Sequence, residues 1–182
     1  RPVAAVDCVY EPHACSAPDQ VPLMSPIGGP HLVRYTTSTH DQRAYLTGDP
    51  EIIGAMVEHY QRKIEAHAEE MGLYDEELEP GAETLILAYG VSARSARAAV
   101  KKARAAGRRV SLLVLKTIFP VQEKAILRAL EGVSRVIVPE MNLGQYVEEI
   151  RCLAAGREII PINRMNTTLV TPSEILERGG LL

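Results

Sequence analysis

Apolar residues in the second half of the chain fall into four short, nearly continuous runs, and amphipathic stretches separate them. The runs predict strands at 84–89, 110–115, 134–139 and 158–162. Such apolar runs are typical of strands buried on both faces of a sheet. The stretches between and after them predict helices at 93–106, 121–130, 143–154 and from 171 onward. Because strands and helices alternate, we predict a three-layer α/β/α fold with a mostly parallel sheet of four to five strands.

Two unusual turns predict the order of these strands. The turn GVS at 90–92 follows the first strand, and EMN at 140–142 follows the third. If these two strands are neighbours, the chain reverses direction between them, which gives the spatial order two-one-three-four and a crevice at the switch point. Pro161 suits an edge position for the fourth strand. The candidate crevice or interface residues are Gly90, Ser92, Glu140, Asn142, Gly144 and Gln145.

The first half of the chain is organised differently. Residues 1–48 hold six of the twelve prolines, so we predict an extended arm, the tail of a preceding domain. Asp49 and Pro50 predict the start of a linking helix that ends near Gly72, and acidic residues then predict an exposed linker over 73–82. The predicted domains are therefore 1–48, 49–82 and 83–182.

Composition narrows the function classes. Aromatic residues make up only 4% of the chain, so the core must be built from Leu, Ile, Val and Ala. The formal net charge of -3 offers no general attraction for nucleic acid or an anionic membrane, and no apolar run is long enough to span a membrane. Three cysteines, an odd number, favour a reducing compartment, so we expect a cytoplasmic location. The chain starts without Met, and we expect a fragment of a longer subunit.

The turn after the first strand can be compared with known catalytic and nucleotide-binding motifs. Gly90 and Ser92 match part of a G-x-S-x-G nucleophile elbow, but Arg94 replaces the last glycine and all five histidines precede Ser92. The turn also lacks the glycines of a dinucleotide loop. We therefore interpret Ser92 as a helix cap. A stand-alone module that binds phosphate or a nucleotide at this helix start remains the alternative.

The run EMNLGQ at 140–145 is the most distinctive. Glu140 and Asn142 at the end of a buried strand are poor packing choices, so they suggest a surface that faces another domain or a ligand. A capping box, with Asn142 as cap and Gln145 three positions on, is an equally open interpretation, and both can hold. Cys8, His13 and Cys15 lie close in sequence but lack a nearby fourth ligand, so we predict no metal site.

Two longer stretches, ETLILAYGVSARSARAAVKKARAAGRRVSLLVLKTIFP at 83–120 and RVIVPEMNLGQYVEEIR at 135–151, resemble the α subunit of the 2-oxoacid:ferredoxin oxidoreductases, most of all the 2-oxoglutarate type. The matching region is domain II, which resembles the transketolase C-terminal domain. The similarity extends to 47–67 and 171–175. Thr39-His40-Asp41 is similar to the family's His-Asp stretch, although Gln42 and Arg43 replace its usual acidic, glycine-containing continuation.

The resemblance implies a thiamine diphosphate enzyme that decarboxylates a 2-oxoacid to an acyl-coenzyme A and reduces ferredoxin. It implies thiamine diphosphate, magnesium and iron–sulfur clusters in the parent enzyme, and the β subunit as partner, with γ and δ subunits as further candidates. This chain has no Gly-Asp-Gly…Asn motif and no clustered cysteines. We therefore expect a fragment that holds no cofactor or catalytic residue, is inactive alone, and serves architecture and subunit contact.

Overall fold

The structure, a computed structural model, describes all residues from Arg1 to Leu182. The chain forms two compact units, Arg1–Ala68 and Glu69–Leu182. In the first unit, residues 1–48 form no helix and no continuous strand. Their only ladder contacts are two isolated bridges, Val3 with Met24 and His40 with Leu46.

The predicted helix start at Asp49 is confirmed. Helix α1 spans Pro50–Ala66, and the Asp49 carboxylate accepts hydrogen bonds from the backbone N–H groups of Glu51 and Ile52 at 2.9 and 3.3 Å. The helix does not continue to Gly72 as predicted. It ends at Ala66, and a short helix, α2 (Ala68–Met71), precedes the glycine.

The rest of the second unit alternates strands and helices. Its elements are β1 (Tyr74–Glu77), β2 (Thr84–Tyr89), α3 (Ser92–Ala105), β3 (Val110–Leu115), α4 (Glu123–Ala129), β4 (Arg135–Glu140), α5 (Gln145–Leu153), β5 (Glu158–Asn163) and α6 (Pro172–Arg178). The five strands form one sheet in the order β1-β3-β2-β4-β5, and the last four are parallel. The predicted order of those four strands and the edge position of β5 are confirmed.

The prediction of an exposed linker is wrong at Tyr74–Glu77, because β1 pairs antiparallel with β3 at the edge of the sheet. Its acidic side chains alternate between the two faces. Asp75 and Glu77 form ion pairs with Arg97 of α3, whereas Glu76 pairs with Arg128 of α4. The acidic run is therefore an edge strand whose charges are matched by helices on both sides. Arg97, one of the basic residues of α3, is therefore paired with acids of β1.

Two apolar layers enclose the sheet. On one face, Ile86, Leu112 and Ile137 pack with the buried alanines of α3 and with α6. On the other face, Leu85, Leu113 and Val136 pack with α4 and α5. All these strand residues are fully buried. The three-layer prediction is thus confirmed, and the carboxyl ends of the parallel strands are left at one edge of the sheet.

Candidate functional site

The bends that follow β2 and β4 lie together at this carboxyl edge. Pairing between the two strands ends at Ile86 and Ile137, so the last three residues of β2 have no partner in β4, and we call this gap in the ladder the crevice. Across it, the side-chain amide of Asn142 donates a hydrogen bond of 2.6 Å to the Tyr89 hydroxyl. The two predicted turns are therefore neighbours at the switch point of the sheet.

Polar side chains fix the bend after β4. The Asn142 side-chain oxygen accepts hydrogen bonds from the backbone N–H groups of Gly144 and Gln145 at 2.7 and 3.1 Å, and the Gln145 oxygen accepts one from Leu143 N–H. Helix α5 begins at Gln145, with Gly144 as its N-cap residue. The predicted capping box therefore has the wrong register, although the same two side chains do bind the free N–H groups.

Gly144 is required by two features of this bend. Its φ of +102° is a conformation that L side chains rarely adopt, and an added Cβ would lie 2.8 Å from the side-chain nitrogen of Asn163. Asn163 ends β5, so the close approach joins the bend to the neighbouring strand.

The bend after β2 is simpler. Gly90 has a φ of +55° and open space around it. Helix α3 begins at Ser92, with Val91 at the N-cap position and no side-chain cap. The interpretation of Ser92 as the cap is therefore wrong, because it is the buried first residue of the helix. The hydrogen bond across the crevice is accepted by the hydroxyl of Tyr89, a residue that the sequence interpretation did not select.

Glu140, predicted to line the crevice, lies buried beneath it and has no exposed surface. Neither carboxyl oxygen makes a hydrogen bond of ordinary geometry. Burial raises the pKa of this carboxyl, and the nearby N–H groups of Tyr146 and Val147, with Asn142, offset only part of the rise. Burial raises the pKa of the Tyr89 hydroxyl, and the charge of Glu140 raises it further.

We expect Glu140→Gln to change how stability depends on pH. A folded-state pKa above the unfolded value means that stability is fully present at low pH and is lost as pH rises through the folded pKa. Glutamine has the same shape without this ionisation. The variant should therefore become more stable relative to the natural chain as pH rises above the usual titration range of glutamate, measured by urea unfolding. Exposed Glu131→Gln is the control, and parallel pH profiles for Glu140→Gln and the natural chain would contradict the assignment.

The sequence interpretation did not select three residues of this edge: Tyr89, Tyr146 and Asn163. Tyr146 is buried, its ring lies edge-on to Tyr89 with centroids 5.2 Å apart, and its hydroxyl has no hydrogen-bond partner. Burial raises its pKa to about 12. Asn163 touches the bend at Gly144. Tyr89 and Asn163 could have been found from the sequence, because each is the last residue of its strand.

Every loop that follows a parallel strand carries at least one exposed large apolar side chain. Phe119, after β3, is 73% exposed, and Leu143, after β4, is 75% exposed. The full set, which we call the carboxyl-edge surface, is Val91, Ile118, Phe119, Leu143, Met165 and Leu169. Single exposed apolar residues are normal, but their presence in all four loops at one edge points to a contact surface.

The cysteines of the first unit have separate environments. The sulfur of Cys8 lies 3.9 Å from Nε2 of His31, and that of Cys15 lies 3.4 Å from the Gln20 carbonyl oxygen. No group of three or more His, Cys, Asp or Glu side chains is arranged to hold a metal ion. None of the helices has both the length and the apolar character needed to cross a bilayer.

Residues 82–175, just over half of the chain, match the family model of the pyruvate:ferredoxin oxidoreductase core domain II. The chain belongs to this family. The resemblance to 2-oxoacid:ferredoxin oxidoreductases, predicted from 83–120 and 135–151, is thereby confirmed.

The relatives of this core domain II chain are subunits of two kinds of enzyme, and we compared the chain with three of them. It is 34% identical over 164 residues to the 2-oxoglutarate synthase subunit KorA of Methanothermobacter thermautotrophicus, covering 88% of this chain and 44% of that protein. KorA of Methanocaldococcus jannaschii is 33% identical over similar shares, 88% and 43%. The ketoisovalerate oxidoreductase subunit VorB of M. thermautotrophicus is 40% identical over 105 residues, 58% of this chain and 30% of that protein. The chain thus spans less than half the length of these relatives.

The fold has a solved counterpart. The 2-oxoglutarate:ferredoxin oxidoreductase from Magnetococcus marinus, solved with 2-oxoglutarate, coenzyme A and succinyl-CoA bound, superposes with a TM-score of 0.79 at 20% identity, covering 99% of this chain and 32% of that one. The likeness supports the fold of the core domain II chain. The alternative of a stand-alone phosphate- or nucleotide-binding module is not favoured by these relatives.

Proposed function

We propose that this chain is the domain II part of the α subunit of a thiamine diphosphate-dependent 2-oxoglutarate:ferredoxin oxidoreductase. The parent enzyme would convert a 2-oxoacid and coenzyme A to an acyl-coenzyme A and CO₂, with electrons passing through iron–sulfur clusters to ferredoxin. Two KorA relatives that match 88% of the chain support the 2-oxoglutarate type over the ketoisovalerate type, whose VorB relatives match 58% and 65%. We propose a cytoplasmic location for the complex.

Within that enzyme, we propose that this chain supplies architecture and subunit contact. The carboxyl-edge surface carries the proposal, because exposed apolar side chains from four separate loops lie on one edge of a rigid sheet. The candidate site residues fit a supporting role: Asn142, Gly144 and Gln145 hold the bend that presents Leu143. The β subunit is the proposed partner, with γ and δ subunits as further candidates. We propose 1–48 as the arm, 49–82 as the link and 83–182 as the domain, with the difference that β1 at the end of the link (Tyr74–Glu77) belongs to the sheet of the domain.

Thiamine diphosphate supplies the ylid chemistry when it is bound to its enzyme. The side chains of this chain do not fit the magnesium diphosphate of that cofactor. They form no cluster of three or more metal-ligating groups, and the carboxyl of Glu140 lies buried beneath the bend. We therefore assign the cofactor to parts of the enzyme outside this chain and derive no reaction step from these residues.

The proposal is tested by placing a charge on the carboxyl-edge surface. Leu143→Asp and Phe119→Asp, introduced into the full-length subunit, should each weaken assembly with the partner subunits at least about tenfold, because buried apolar anchors dominate interface energy. Assembly is measured by size-exclusion chromatography, and 2-oxoglutarate-dependent reduction of ferredoxin should fall in parallel.

Leu127→Asp, on α4 and 49% exposed, is the matched control away from this edge. Circular dichroism should show that all three variants remain folded. Normal assembly of both carboxyl-edge variants would refute the contact role. Activity with the branched-chain 2-oxoacid but not with 2-oxoglutarate would refute the substrate assignment separately.

A further inference from the structure

The Arg1–Ala68 unit contains a cavity of about 520 Å³ that the proposed function does not use. One face of α1 forms its floor, and two parts of the arm form the walls: the segment from Glu11 to Cys15, with Pro22, and the turn from His40 to Arg43. The cavity is an open cleft, since Ile52 on its floor is 40% exposed, and its volume lies in the range of known small-molecule sites.

The side chains that α1 contributes to the floor change from apolar to polar along the helix. The lining residues of α1 recur at helical spacing, apolar first and polar afterwards: Ile52, Ala55 and Met56, then His59, Tyr60 and Lys63. A rise of 1.5 Å per residue separates Ile52 from Lys63 by roughly 16 Å. A molecule lying along this floor would therefore meet an apolar surface at one end and hydrogen-bond donors at the other.

The polar end holds an ammonium group with unused hydrogen-bond donors. The Lys63 ammonium group donates one hydrogen bond of 3.2 Å to the Gln20 carbonyl and keeps further donors unused. The neighbouring acids are already engaged. Glu11 accepts a hydrogen bond from Arg43 at 3.2 Å, and the Asp41 carboxylate accepts from two backbone N–H groups of its own turn.

Two histidines add polar capacity to the wall. The rings of His13 and His40 stack with centroids 4.0 Å apart, and His40 Nδ1 hydrogen-bonds the Asp41 carbonyl at 3.0 Å. Burial lowers the pKa of His13, and so does the neighbouring His40. Nε2 of His13 is buried and has no hydrogen-bond partner, which leaves one polar atom of the wall unsatisfied.

We propose that this cavity binds an amphipathic organic anion, with its apolar chain along Ile52 and Met56 and its carboxylate or phosphate head at Lys63. An ammonium ion with unused donors favours a negative head group, and the acids of the wall already accept hydrogen bonds, Glu11 from Arg43 and Asp41 from backbone N–H groups. The apolar half of the floor favours a hydrocarbon body. This binding site goes beyond subunit contact and does not depend on it.

The proposal is tested on the 182-residue chain by calorimetric titration with octanoate, octyl phosphate and octylamine, below their micelle concentrations. Saturable one-to-one binding of at least one of the two anions supports the site, and which anion binds identifies the head group. No saturable binding of either anion, or equal binding of octylamine, overturns it.

Two substitutions locate the ligand. Lys63→Gln should weaken anion binding by about tenfold or more, because it removes a charge-assisted hydrogen bond. Met56→Asn should weaken octanoate binding while leaving the weaker binding of butyrate nearly unchanged. Lys101→Gln, on an exposed turn of α3, is the control and should bind normally. Unchanged affinity in Lys63→Gln would refute the assigned orientation of the ligand.

Discussion

Tyr146→Ala should destabilise the Glu69–Leu182 unit by about 3–5 kcal/mol, the cost typical of removing a buried aromatic ring. The ring is buried in the core on the α5 side of the sheet and lies edge-on to Tyr89 at 5.2 Å. Its removal would leave a cavity directly beneath the crevice. Urea unfolding followed by circular dichroism measures the loss, and the thermal midpoint should fall by about 6 °C or more.

Tyr146→Phe is the matched variant, because it keeps the ring and removes only the hydroxyl. That hydroxyl is buried without a partner, so its removal should be neutral or stabilising by up to about 1 kcal/mol. A large loss of stability in Tyr146→Phe would mean that the hydroxyl has a partner and would contradict the description of this pocket. Equal stability of the alanine variant and the natural chain would contradict the packing.

Gly144→Ala is expected to cost about 2 kcal/mol and to disturb the bend that presents Leu143. The main cause is the backbone conformation at φ +102°, which is strained for alanine. The new Cβ would also approach the side-chain nitrogen of Asn163 to 2.8 Å, a smaller cost because that exposed side chain can rotate away. Chemical unfolding measures the cost. Assembly with partner subunits should weaken as well, since the exposed leucine is displaced.

Gly156→Ala separates these two causes. Gly156 has a φ of +79° but nothing within 4 Å of an added Cβ, so its alanine variant bears the backbone strain alone. Combining Gly144→Ala with Asn163→Ala should recover part of the loss, because the clash is removed. If the double variant loses the sum of the two single effects, the contact with Asn163 is unimportant.

The order of the parallel strands could be predicted because each strand is a continuous apolar run and each connection is long enough for a helix. Strand β1 could not. Its sequence YDEE has neither an apolar run nor strong strand preference, and the arginines that match its charges follow about 20 to 50 residues later. Only the folded sheet places those opposite charges beside one another.

The crevice was predicted with less detail than the sheet. The positions of both bends follow from the strand order, but the capping roles of Ser92 and Gln145 were misplaced, because the conformation of each bend decides where its helix begins. The burial of Glu140 could not be predicted either. A glutamate at a strand end suggests exposure, and only the packing of α5 over β4 encloses it.

The two edges of the sheet are guarded by different means. On one side, β1 is only four residues long and carries charged side chains, and on the other, β5 has Pro161 near its centre, which has no N–H to donate. Both devices discourage a foreign chain from extending a sheet sideways. The proposed partner subunits would then dock against loops or helices, and the isolated domain should resist strand-to-strand aggregation even without them.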